Sequence, residues 1–188
     1  MDFKEQIKQV KLAAPKMANT TKQNRNQALQ NVSTALLHNQ DAIFAANQED
    51  RKQAKLDGVP EPILNRLKFD DKKLKDVLAG IQDLIKLSDP LFQTVFQREL
   101  DQGLLLKKVT CPIGVIGVIF EARPDALVQI SALCIKSGNC VVLKGGSEAL
   151  KTNKILFDII YKAILEAGLP LHCMMQLEAR SEIKELLS

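Results

Sequence analysis

The sequence is short of aromatic residues: it has no Trp, one Tyr and seven Phe in 188 residues. Base-stacking platforms of the kind that grip single-stranded nucleic acid are therefore scarce. There is also no block of one charge. The 26 Lys and Arg and 22 Asp and Glu leave a net charge of +4 spread along the whole chain, and clusters such as Lys72 to Lys75 read as ordinary solvated helix, so no nucleic-acid footprint is expected. Four cysteines, at 111, 134, 140 and 173, make no C-x-x-C pair and no metal-ligand spacing. That excludes a zinc site by spacing and favours a reducing compartment over a disulfide framework. His38 and His172 have no triad partners by spacing. Met1 to Lys16 alternates charged with apolar residues and lacks the apolar core of a signal peptide. The longest apolar stretches, Val115 to Phe120 and Ile155 to Leu165, are too short or too interrupted to span a bilayer. A soluble, cytoplasmic protein without membrane partners is the expectation. The G-x-G-x-x-G fingerprint is absent as well, so a conventional dinucleotide pyrophosphate loop is not expected.

What is present is a large apolar fraction, 46%, enough for a substantial core. The first ninety residues read as helix. Thr20 with Gln23 forms a capping box, and Ala28, Leu29, Val32, Leu36, Ile43 and Phe44 recur near helical period, giving one amphipathic helix or a broken pair. Gly58, Pro60 and Pro62 punctuate it. Asp70 caps a further helix with the apolar face Leu74, Val77, Leu78, Ile81, Leu84 and Ile85, ended by Ser88-Asp89-Pro90. Thr94 to Leu100 and Leu104 to Thr110 then read as a hairpin, with Gly103 where positive φ is needed.

From Cys111 to Phe120 a continuous β-branched run predicts a strand buried on both faces of a parallel sheet. Pro124 starts a helix that Gly138 stops, and Cys140 to Leu143 is a second strand. Ser147 opens a long helix through Ala167, Cys173 to Leu177 is a third strand, and a last helical segment follows. This alternation is that of a right-handed parallel α/β unit. Ligands in such sheets bind beyond the carboxyl ends of the strands. Two loops there are informative. In Glu121-Ala122-Arg123-Pro124-Asp125, Arg123 offers a fork for a carboxylate or phosphate, with pairing to Glu121 as its structural alternative, and Asp125 lies in a helix's first turn. In Lys144-Gly145-Gly146-Ser147-Glu148, two glycines let backbone approach a ligand. Lys144, Ser147 and the helix N-terminus are then placed to hold ribose hydroxyls or a phosphate.

Together these loops carry a resemblance. Pro-Ile-Gly-Val-Ile-Gly-Val-Ile-Phe-Glu-Ala-Arg-Pro-Asp, then Ser-Gly-Asn-Cys-Val-Val-Leu-Lys-Gly-Gly-Ser-Glu-Ala and Thr152-Asn153, resemble the γ-glutamyl phosphate reductase (glutamate-5-semialdehyde dehydrogenase) family of the aldehyde dehydrogenase superfamily. Asn47 and Asp50, and the segment Leu64-Asn65-Arg66-Leu67, extend the resemblance into the helical half. It implies NADPH-dependent reduction of γ-glutamyl phosphate to glutamate 5-semialdehyde and phosphate, a step of proline synthesis. The chemistry passes through a thioacyl enzyme formed on a cysteine of a later catalytic domain. None of the four cysteines is expected to be that nucleophile; beside or within apolar runs they read as small hydrophobes. The resemblance further implies that Lys144, Gly145, Gly146, Ser147 and Glu148 bind the cofactor. Ser147 stands where NAD-dependent relatives often carry Glu, and substrate contacts fall to Glu121, Arg123 and Asp125. General aldehyde dehydrogenases have Pro-Trp-Asn after the first strand. Here Glu121-Ala122-Arg123 replaces it, and an ionised Asp125 cannot donate to an oxyanion.

The expected organisation is a helical N-terminal region over 1–92, a hairpin of the family's oligomerisation type over 93–110, and a partial NADP-binding unit over 111–188. The fold class is α/β, with the first half of a Rossmann-like parallel sheet of the aldehyde dehydrogenase type. The chain reads as the N-terminal part of such a reductase, inactive alone and homo-oligomeric in the intact enzyme, with glutamate 5-kinase as a candidate protein partner. The alternatives are a non-catalytic cofactor-binding or oligomerisation module, and a different aldehyde dehydrogenase acting on free aldehydes.

Overall fold

The computed structural model describes residues 3–178. Five helices come first: α1 (Phe3–Ala18), α2 (Lys22–His38), α3 (Gln40–Leu56), α4 (Glu61–Leu67) and α5 (Asp71–Lys86). The helical pair is broken at Asn39, whose amide side chain donates to the carbonyl of Ala35 at 2.8 Å and so satisfies an end group of α2. The cap of α2 is one residue later than the sequence suggests. Thr21 accepts from the Asn24 N–H, while Thr20 turns back and donates to the Met17 carbonyl. The cap of α5 is the expected one, Asp70 accepting from the Lys73 N–H.

The hairpin follows, β1 (Thr94–Asp101) against β2 (Leu104–Val109), with Gly103 at a φ of 77° in the turn. Every residue of both strands is exposed, Val95, Phe96, Leu105 and Leu106 among them. Two strands with neither face covered are marginal alone.

The parallel sheet has the order β3 (Val115–Ile119), β4 (Cys140–Lys144), β5 (Met174–Leu177). It is built by α6 (Pro124–Lys136), a 3₁₀ turn at Ser147–Ala149 and α7 (Leu150–Glu166). Cys140, Val141, Val142 and Leu143 of the central β4 are all buried. Burial of each Val or Leu contributes about 1.5–3 kcal/mol. The expectation of a first strand buried on both faces is corrected. Only 115–119 pair, β3 lies at one edge of the described sheet, and Ile119 is 62% exposed. A continuous apolar run identifies a strand but not its rank in the sheet. The helix expected to open at Ser147 begins at Leu150, after the 3₁₀ turn. The last helical segment expected after Leu177 falls outside the described residues.

One continuous core joins the helical region to the sheet, because α2 packs on α7, α6 and α5, and α1 packs on β3 and β4. Two buried cations reinforce the junction. Arg25 of α2 donates from Nη2 to both carboxylate oxygens of Asp89, at 2.8 and 2.7 Å, and from Nη1 to the Thr20 carbonyl. Lys136, at the end of α6, donates to the carbonyls of Ile85 and Leu87 and to Asn26 Oδ1, closing the end of α5. Burial, and then the nearby Lys22, lowers the pKa of the Lys136 ammonium.

Candidate functional site: a cleft beyond β3 and β4

A cleft of about 500 Å³ opens where the parallel strands end. Its floor is the loop after β4, Lys144 to Glu148. One wall is Phe120, Glu121 and Ala122 after β3, and the other is Ile63 and Arg66 of α4. The register sets this up, since Ile119 pairs with Lys144 and the Phe120 N–H donates to the Lys144 carbonyl at 3.0 Å, so both loops leave the sheet at one level.

Gly145 is required by space, and Gly146 sits tightly. A Cβ on Gly145 would collide with the Asn153 amide nitrogen and lie 3.0 Å from the Phe120 ring. On Gly146 it would lie 3.1 Å from the Ala122 N–H nitrogen and 2.7 Å from the Glu148 carboxylate. The loop is thus pressed against its neighbours with backbone facing the cleft. Lys144 donates to the Gly145 carbonyl at 2.6 Å and has no acidic partner among the described residues. Its ammonium keeps donors for a ligand.

Asp50 of α3 takes two N–H groups in the first turn of α7, behind the Ser147–Ala149 turn. Its buried carboxylate accepts from the N–H of Thr152 at 2.8 Å, from the Thr152 hydroxyl at 2.6 Å and from the N–H of Lys151 at 3.2 Å. A carboxylate there also favours the helix dipole. Asn47, one turn earlier, donates to Thr152 Oγ1 and to the Leu67 carbonyl, and accepts from the Phe69 N–H. The signal for this pair was in the sequence: Ile43, Asn47, Asp50 and Ala54 share the buried stripe of α3, and a polar residue on such a stripe must find a partner.

The loop after β3 divides. Glu121 faces the cleft and pairs with Arg66 at 2.9 Å, so the pairing of Arg123 with Glu121 is not formed. Arg123 and Asp125 do not line the cleft. Arg123 lies 3.5 Å from Asp125, and buried Asp125 accepts from Lys73 of α5 at 2.9 Å while its Oδ1 has no partner among the described residues. Lys73 therefore departs from the solvated-helix reading of 72–75.

Three cysteines are core residues, and Cys111 corrects the expectation for all four by being exposed. Burial raises the Cys134 and Cys140 thiols to about 11 and Cys173 to about 12. Only Cys111 is expected to react with a soluble alkylating reagent near pH 8 in the folded protein, as mass spectrometry after brief labelling would show. Because the folded thiols hold their protons above the ordinary value of 9.0, the stability they contribute is complete below pH 9 and is lost as pH rises through 11 to 12. Urea titrations at pH 8 and 10 would record the fall.

The described residues contain no metal-binding group of His, Cys, Asp or Glu, and no helix long and apolar enough to cross a membrane.

A parallel sheet with this hairpin and a cleft at its strand ends defines the aldehyde dehydrogenase fold. The solved propionaldehyde dehydrogenase of Rhodopseudomonas palustris superposes over 98% of this chain with a TM-score of 0.68 at 15% identity. Sequence narrows the class, since the chain is homologous throughout to the N-terminal part of gamma-glutamyl phosphate reductases. The reductase of Acetivibrio thermocellus is 50% identical over 187 residues, all of this chain and 43% of that protein. The crystal structure of the Thermotoga maritima reductase matches all of this chain and 46% of its own with a TM-score of 0.93 at 31% identity. The chain therefore spans less than half the length of these relatives. No family model matches it.

Proposed function

We propose that this chain is the cofactor-binding portion of an NADPH-dependent γ-glutamyl phosphate reductase. The overall reaction takes γ-glutamyl phosphate, NADPH and a proton to glutamate 5-semialdehyde, inorganic phosphate and NADP⁺. The observation that carries the reading is the Lys144-Gly145-Gly146 loop: a cation with free donors beside two glycines that a side chain would block, at the end of the central strand. Such a floor fits a nucleotide ribose. Bound NADPH supplies the hydride.

The chain's own residues bind and position. Lys144 donates to ribose hydroxyls, Gly145 and Gly146 let the sugar approach backbone, and Ser147 and Glu148 border it. Asp50 and Asn47 hold the loop from behind through Thr152. At the substrate end, the exposed Arg123 guanidinium takes an anionic oxygen, Asp125 positions it, and Glu121 borders the cleft. The nucleophilic thiol is not among the three buried cysteines, whose raised pKa values keep them protonated. The exposed apolar hairpin supports assembly with further copies, as uncovered strands of this kind do.

The test uses a longer enzyme carrying this sequence. NADP⁺ reduction by glutamate semialdehyde is expected to require inorganic phosphate and to be absent from the 188-residue chain alone. Oxidation without phosphate would indicate a dehydrogenase of free aldehydes instead.

A further inference from the structure

Among the described residues, the cleft presents two cations, Lys144 and Arg66. Two N–H groups of the other anion receptor of such loops, a helix N-terminus, are taken by Asp50. Three carboxylates of the described residues line the same cleft, and two are paired: Glu178 with Lys154 at 3.3 Å and Glu121 with Arg66 at 2.9 Å. Glu148 lies back against Gly146 and has no ion pair among the described residues. A dianionic group entering here meets Lys144 and Glu148 on the floor and Arg66 on a wall, where a guanidinium fork can take a phosphate.

Arg66 is suited to that role. It stands in the last turn of α4, on the wall facing Glu121, and its side chain is 56% exposed. Its partner Glu121 is 77% exposed. Exposed pairs of this kind contribute little to stability and exchange readily, whereas a phosphomonoester carries close to two charges and matches the guanidinium fork. Glu121 thus holds Arg66 at the cleft when no ligand is bound and gives way to a stronger acceptor.

We propose that Arg66 reads the 2′-phosphate of the cofactor by exchanging Glu121 for it, which makes the Arg66–Glu121 pair the determinant of NADP over NAD. This rests on the nucleotide reading above and adds to it a residue from the helical region, outside the strand-end loops. A merely structural ion pair would respond alike to removal of either member. An exchangeable one responds oppositely.

The test titrates the 188-residue chain and its Arg66→Gln and Glu121→Gln variants with adenosine 2′,5′-bisphosphate and with 5′-AMP, by calorimetry or amide NMR shifts. The wild type is expected to bind the bisphosphate about tenfold tighter than AMP, the scale of one charge-assisted contact at a half-exposed site. Arg66→Gln should abolish that preference while leaving AMP binding unchanged, which also reports an intact fold. Glu121→Gln should enlarge the preference. An unchanged preference in Arg66→Gln overturns the role of Arg66 and leaves the nucleotide site standing. So does loss of AMP binding in that variant, or an equal weakening by both substitutions. A wild-type chain that binds neither nucleotide overturns the site and this inference together.

Discussion

Replacing Asp50 by alanine is expected to destabilise the protein by about 3 kcal/mol and to disorder the glycine loop. The estimate combines the loss of a helix cap, about 0.5–2 kcal/mol, with buried donors left unpaired, about 1–3 kcal/mol. Those donors are the Thr152 hydroxyl and the Thr152 and Lys151 N–H groups, all directed at one carboxylate. Asp50→Asn keeps an acceptor and loses only the charge, so its cost should be nearer 1 kcal/mol. Urea unfolding of both variants checks the order. Equal losses would mean that charge alone holds the junction. Because the capped turn sits directly behind Ser147 to Ala149, amide exchange should accelerate first in residues 145–152.

The second large effect is at the other end of the helical region. Asp89→Ala leaves the Arg25 guanidinium, 2% exposed, without its carboxylate. Stranding a buried charge costs about 3–5 kcal/mol, and since Asp89 is itself 22% exposed the lower end of that range is expected. The loss also frees the Leu91 N–H that Asp89 accepts at 3.2 Å. Changing both partners, Arg25→Met with Asp89→Ala, should recover a large share, since an apolar side chain suits a site that an unpaired cation does not. A double variant as unstable as Asp89→Ala would show that Arg25 contributes through its bond to the Thr20 carbonyl rather than through the pair.

Much of this fold is legible wherever one residue type admits one local geometry. Gly103 marks the hairpin turn, Asp70 the start of α5, Pro124 the start of α6, and the apolar 140–143 segment a strand. Less legible were features set by distant parts of the chain. Whether β3 is an edge depends on which strands flank it, so Ile119 looked buried in sequence and is exposed. Thr20 and Thr21 are equally good caps by type, and only the Met17 carbonyl, which takes the Thr20 hydroxyl, separates them. Of the site, the strand-end loops were readable because their position follows from topology. Asp50, Lys73 and Arg66 were not assigned there, since each acts on a partner 50 or more positions away. Even so, the polar pair Asn47 and Asp50 on an apolar helix stripe was a readable demand for such a partner.

The loop after β4 is proposed above as a nucleotide half-site. The direct measurement is a fluorescence titration of the chain with NADPH, alongside the Lys144→Ala variant. Weak but saturable binding that Lys144→Ala lowers at least tenfold, with the thermal transition unchanged, is the predicted result; roughly that much is expected for a lost charge-assisted hydrogen bond. Binding that the substitution leaves untouched, or no saturable binding at all, would contradict it.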